Sequence, residues 1–381
     1  MPGTCEILTV LPAMDSVPLM AHPLLQKFLL LLTFTLHVVP MNFLLGGCFF
    51  AVLLKVQKII KIGDHEKAYR LYRDIIGAMP TFLSFTITLG VAPLLFIQAL
   101  YGPLFYTSTI LMAPFWLSVL GFILVSYYSL YLLSWTSEKF LKPLRLPVLL
   151  AAAAGFVYSA FMLSSNNSLM QSPGSFHAIY EKTFYGIFIF VNDLDLMLRF
   201  HHVLFGSVFV TSVIILIMAY FKRCDDPQYA DYISAYVRPF WYMSFAAQLA
   251  LGVSMLLSQK AEVFNALMGN DAGHTFLFWA GVALACLVFV VGFLGRNSIQ
   301  KNGSLILSVS LITFLSLSGM VMTRDFIRDS RMKPAFSYIH NAYEWNYLVV
   351  GIFFLVFAAG LGTVYYMLSL PEKTPKTGKS I

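Results

Sequence analysis

Charge is scarce in this sequence. Lys and Arg number 25 and Asp and Glu 18, which together make 11% of the 381 residues. A soluble domain carries about 25%. With 59% hydrophobic residues, the chain needs a lipid membrane as its solvent. The net charge of +7 is therefore no sign of nucleic-acid binding. Cysteine is also sparse: Cys5, Cys48, Cys224 and Cys286 are scattered, and no Cys-x-x-Cys-His occurs, so covalent c-type attachment of heme is not expected. The first twenty residues lack Lys and Arg, so no secretory signal is expected there. The long apolar runs contain no Asp, Glu, Lys or Arg. That disfavours a transporter or cofactor-free scaffold of this shape, since transporters place polar or broken segments at mid-membrane.

The apolar runs themselves are long. About nine are long enough to span a bilayer: residues 28–54, 79–100, 107–134, 146–163, 200–221, 240–257, 276–293, 305–321 and 348–368. The expected fold is an all-α polytopic membrane helix bundle. Residues 1–27 precede it, 28–260 form the first six spans, 261–370 the last three, and 371–381 a tail. Basic residues favour alternate connections: Lys55, Lys58, Lys61, Lys67, Arg70 and Arg73 after the first span, then Lys139, Lys142 and Arg145, then Lys222, Arg223 and Arg238. Arg296 and Lys301 follow, with Lys373, Lys376 and Lys379 in the tail. The positive-inside rule then puts the N-terminus outside and the C-terminus in the cytoplasm, in a multi-pass protein of the inner (cytoplasmic) membrane. An apolar segment at 184–191 is too short to cross and is expected to lie as a helix along the outer interface.

Histidine is the one residue inside the spans whose ordinary pKa lies near neutral pH. Of the eight, only His65 falls on the inner side; His22, His37, His177, His201, His202, His274 and His340 are outer or in the outer half. Ionisable side chains at membrane depth are costly and are functional candidates by default, and neutral imidazole is a common metal ligand. His37 lies about 14 Å into the first span at 1.5 Å per residue, beside Pro40 and Gly46-Gly47. A neutral histidine bonded to a neighbouring helix is the plainer reading. His201 and His202 open the fifth span; adjacent helical residues diverge by about 100°, so one iron can take only one of them. His274 opens the seventh span at a similar depth, so His202 and His274 could hold one heme from both faces. Arg199 and Arg324 could serve its propionates. Gln98, at the outer end of the second span, could bond a quinone carbonyl or face headgroups.

Several of these residues sit in stretches that resemble subunit I of cytochrome bd quinol oxidase, over about residues 25–260. They are Leu36-His37 with Pro40 and Gly46; Leu89-Gly90-Val91-Ala92 with Gly102; Asn167-Ser168-Leu169-Met170-Gln171-Ser172-Pro173; and Arg199-Phe200-His201-His202. The resemblance implies that His37 ligates a heme of the high-spin pair and His202 one face of a low-spin heme. The departures are as informative. Gln98 stands where the family has a glutamate, and the third span has no carboxylate. The low-spin Met ligand is missing near Trp279, with His274 a possible substitute one turn away. Leu317 or Ser318 stands at the span-eight glutamate, and the loop after span six is cut to about residues 259–273. Oxygen reduction needs carboxylates to bring protons inward, so it is not expected. The expected function is a heme b electron-transfer subunit of a respiratory chain, with one to three hemes, linking the quinone pool to an extracytoplasmic c-type cytochrome. A divergent bd-type quinol:oxygen oxidoreductase is the alternative.

Overall fold

The computed structural model describes residues 18–60, 63–136, 143–183, 185–189, 191, 193–333 and 336–369. The 371–381 tail, most of the 1–27 segment, and Lys61, Lys139 and Lys142 lie outside the described residues. Among these residues eleven α-helices follow in order: α1 (Pro23–Ile60), α2 (His65–Leu111), α3 (Ala113–Trp135), α4 (Arg145–Met170), α5 (Phe176–Lys182), α6 (Leu194–Lys222), α7 (Pro227–Leu257), α8 (Ala261–Asn265), α9 (Ala272–Leu294), α10 (Gly303–Met332) and α11 (Tyr347–Ser369). Eight of them are long and apolar enough to cross a membrane: α1 to α4, α6, α7, α9 and α10. The described apolar stretch of α11, Tyr347–Thr363, falls short of that length. Among the described residues there is no strand, only a bridge in which Leu19 pairs with Tyr343.

The helices pack as neighbours in sequence: α1 with α2, α3 with α4, α6 with α7, and α9 with α10. α1 also packs along α6, and this contact joins the two halves. Small residues permit it, as membrane helices require. A Cβ on Gly46 would overlap Thr211 Oγ1 and the Ser207 carbonyl. Across that approach Ser207 Oγ donates to Asn42 Oδ1 at 2.9 Å, and Thr211 Oγ1 donates to the Asn42 carbonyl at 3.0 Å.

The helices run well past the apolar runs. α2 starts at His65, capped by Asp64, which accepts from the Lys67 N–H at 3.1 Å, so the basic connection after the first span is largely helix. α10 continues to Met332, past the expected span end at residue 321, so Arg324, Arg328 and Arg331 ride its last turns. The described residues of 184–191 form no helix, unlike the interfacial helix expected there. A short helix forms earlier, at Phe176–Lys182. Gly186 then turns the chain at φ 65°, and the Phe188 N–H donates to the Leu111 carbonyl at the end of α2.

Candidate functional site

His37 projects from α1 against α2. Its Nδ1 lies 2.9 Å from the Thr86 carbonyl, and its ring covers Gly90, one turn on, where a Cβ would come within 2.8 Å of Cε1. A carbonyl accepts only from N–H, so Nδ1 carries the proton and Nε2 keeps its lone pair. Metal-ligating imidazoles are oriented in this way. The same bond also satisfies a histidine that serves only to join two helices.

His202 lies on α6 and turns toward α7. A Cβ on Gly252 would stand 3.8 Å from its Nε2, and its carbonyl accepts from Gln248 Nε2. Among the described residues no hydrogen bond reaches its ring. His201, next to it, is exposed and bonds the Met197 carbonyl of its own helix at 2.7 Å. His274 opens α9. It stacks on Phe326 of α10 with centroids 3.5 Å apart, and its Nδ1 lies 2.9 Å from Asp271 Oδ1. Asp271 also caps α9 by accepting the His274 backbone N–H, and these bonds hold its carboxyl below the usual range. The rings of His202 and His274 thus face different neighbours.

The two arginines differ. Arg199 is bound into a cluster: it pairs with Asp195 at 2.7 Å and donates to Ser168 Oγ at 2.7 Å. Asp195 also accepts both arms of Arg331, at 2.7 and 2.8 Å. Arg324 has no carboxylate bonded to it among the described residues. Its guanidinium lies 4.7 Å from the Phe34 ring, and Phe34 is 6.1 Å from His37. The chain therefore brings Arg324 to the His37 side of α1.

Sequence reasoning missed the largest polar feature. Lys27 of α1 pairs with Asp325 and Asp329 of α10, both at 2.6 Å, and Arg328 pairs with Asp325. Tyr101 of α2 donates to Asp329 at 2.7 Å and accepts from Lys27 at 2.6 Å and Arg328 at 3.0 Å. Lys27, Tyr101, Asp325 and Arg328 are buried. The available signal was the spacing: Arg324 with Arg328 and Asp325 with Asp329 each repeat at four, so the charges continue a helix past residue 321.

Gln98 lines a cleft of about 650 Å³ between the segment before α1, the kinked end of α2, and α11. Tyr106 Oη donates to its carbonyl at 3.4 Å. The site residues are thus dispersed along one end of the bundle. Among the described residues, no three His, Cys, Asp or Glu side chains cluster as a bare metal ion would require.

Half-buried histidines, a shared ionic cluster and eight apolar helices define a multi-pass membrane protein with its polar residues gathered toward one end. No family model and no curated protein sequence matches the chain. Its fold is similar to that of a chain in the solved structure of bd oxidase from Geobacillus thermodenitrificans, with a TM-score of 0.67 over 90% of this chain and 96% of that chain. The sequences are 13% identical, so the likeness is one of fold: the chain has a bd-oxidase-type bundle.

Proposed function

We propose that the chain is a heme b electron-transfer protein that exchanges electrons with the quinone pool and hands them to, or takes them from, an extracytoplasmic c-type cytochrome. One observation carries the reading. His37 and His202 stand level on parallel, bonded helices, and each has a ring nitrogen without a protein partner. His37 would hold one heme through Nε2, with Thr86 fixing the tautomer. His202 would hold another on one face; His274, stacked on Phe326 and bonded to Asp271, faces away from it, so the expected His202–His274 pair is set aside. Arg324, a cation with no bonded carboxylate near His37, would neutralise a propionate. The bound iron would supply one-electron transfer; the protein supplies ligands, insulation and charge.

Divergent oxygen reduction is the second reading, because the fold is that of a bd oxidase. The carboxylates of the ionic clusters disfavour it. Asp195, Asp325 and Asp329 each already pair with Lys or Arg, so none is free to carry protons inward. A reduced-minus-oxidised spectrum of the purified protein separates the readings. A b-type α-band alone supports electron transfer, an added d-type band supports the oxidase, and a featureless spectrum removes both.

A further inference from the structure

We infer that Asp195 is a positioning residue of the His202 site, setting the charge that stands over it and closing that end of it; the assignment rests on the redox reading above. The sequence spacing puts it there. Asp195, Arg199 and His202 follow at steps of four and three, so they share one face of α6. That face looks onto α7. Gln259 Nε2 donates to Asp195 Oδ1 at 3.2 Å. A Cβ on Gly252 would stand 3.8 Å from His202 Nε2, and one on Gly206 would stand 3.1 Å from Gln248 Nε2. The steps match on the two helices. Asp195 to His202 and Gln259 to Gly252 both span seven residues; His202 to Gly206 and Gly252 to Gln248 both span four. The helices therefore run antiparallel in one register, with the His202 ring in their seam and Asp195 two turns nearer the end.

α10 closes the seam from a third side. Arg331 grips both oxygens of Asp195, at 2.7 and 2.8 Å, and also donates to Gln259 Oε1 at 2.8 Å. Arg199, one turn from His202, pairs with the same carboxylate at 2.7 Å. A paired carboxylate often does no more than join helices. This one also stands where its charge is felt. About 10 Å of helix separates it from His202, and charges act over that distance in an interior poor in water. Arg199 and Arg331 against Asp195 leave a surplus of one positive charge over the seam; without Asp195 the surplus is two. An iron held by His202 would read that surplus, because added positive charge favours its reduced form and added negative charge its oxidised form.

Potentiometric titration of the full-length protein in nanodiscs tests this, read on the α-band that His202→Ala abolishes. Asp195→Asn should raise the midpoint potential of that band, and Arg331→Gln should lower it. Both break the same bond, so a clamp that only joins helices would move the potential the same way in both, or in neither. Asp195→Glu keeps the charge and should return the wild-type value. Where the neutral variants fail to fold, Gln259→Glu decides: it adds a negative charge beside Arg331, strands no cation, and should lower the potential. Potentials that ignore all these changes, or that move in one direction for Asp195→Asn and Arg331→Gln alike, overturn the assignment, as does heme that survives His202→Ala intact. A wild-type protein without heme removes the redox reading and this assignment with it. One whose heme ignores these charges keeps the reading and loses Asp195.

Discussion

Ser207 Oγ donates to Asn42 Oδ1 at 2.9 Å, and this bond sets the depth of the two central histidines. His37 precedes Asn42 by five residues, and His202 precedes Ser207 by five. α1 and α6 are parallel, because Asn42 meets both Ser207 and Thr211 while Gly46 meets the same pair from one turn below. Each histidine therefore stands about 7.5 Å along its helix from the shared bond, on the same side.

That register is testable. Ser207→Ala removes one inter-helix bond, a loss of about 0.6–1.7 kcal/mol in a membrane bundle. Gly46→Leu forces a side chain into the Ser207 backbone and should cost much more. Thermal unfolding in detergent should rank the two in that order. Equal and negligible losses would mean that α1 and α6 do not meet here.

The His37 pocket should respond to its neighbour as well as to itself. His37→Ala is expected to remove one heme. Gly90→Ala should lose much of the same heme while keeping the imidazole, since its Cβ would press within 2.8 Å of the ring. Heme content measured on both folded variants decides. Full heme in each would return His37 to a histidine that only joins helices.

The ionic cluster should be costly to open. Removing one partner of a buried pair destabilises by about 3–5 kcal/mol, because the other charge is stranded. Lys27→Met leaves Asp325 and Asp329 to share Arg328, so its melting temperature should fall well below that of Lys301→Met, which opens only the exposed pair of Lys301 with Asp231. Similar melting of the two would show that the Lys27 cluster is solvated.

The middle of each helix was legible in the sequence and the ends were not, and these residues show why. Apolar runs such as 28–54 are long enough that only a helix satisfies their backbone in lipid. Beyond residue 321, α10 turns polar in sequence, and the partners that bury Asp325 and Arg328 lie on α1 and α2. Nothing local to the stretch reveals Lys27 or Tyr101. His37 was legible because a lone imidazole deep in an apolar run stands out. Its neighbours Thr86 and Gly90 are ordinary residues that matter only through the α1–α2 contact. Arg199 looked like a free cation in sequence, and the structure ties it to Asp195.

Topology is a separate expectation. Reporter fusions after Val56 and Leu141 should read cytoplasmic, and fusions after Gly174 and Met332 extracytoplasmic. A cytoplasmic reading at Gly174 would invert the face on which the histidines and the cleft are placed.

The most direct test is the heme-to-protein ratio of the purified chain, by pyridine hemochrome, in wild type, His37→Ala and His202→Ala. The account expects heme b at one or more per chain in wild type. Each variant should lose part of it, and His202→Ala should change the coordination of what remains. Folded wild-type protein without heme, or heme unchanged in both variants, would contradict it.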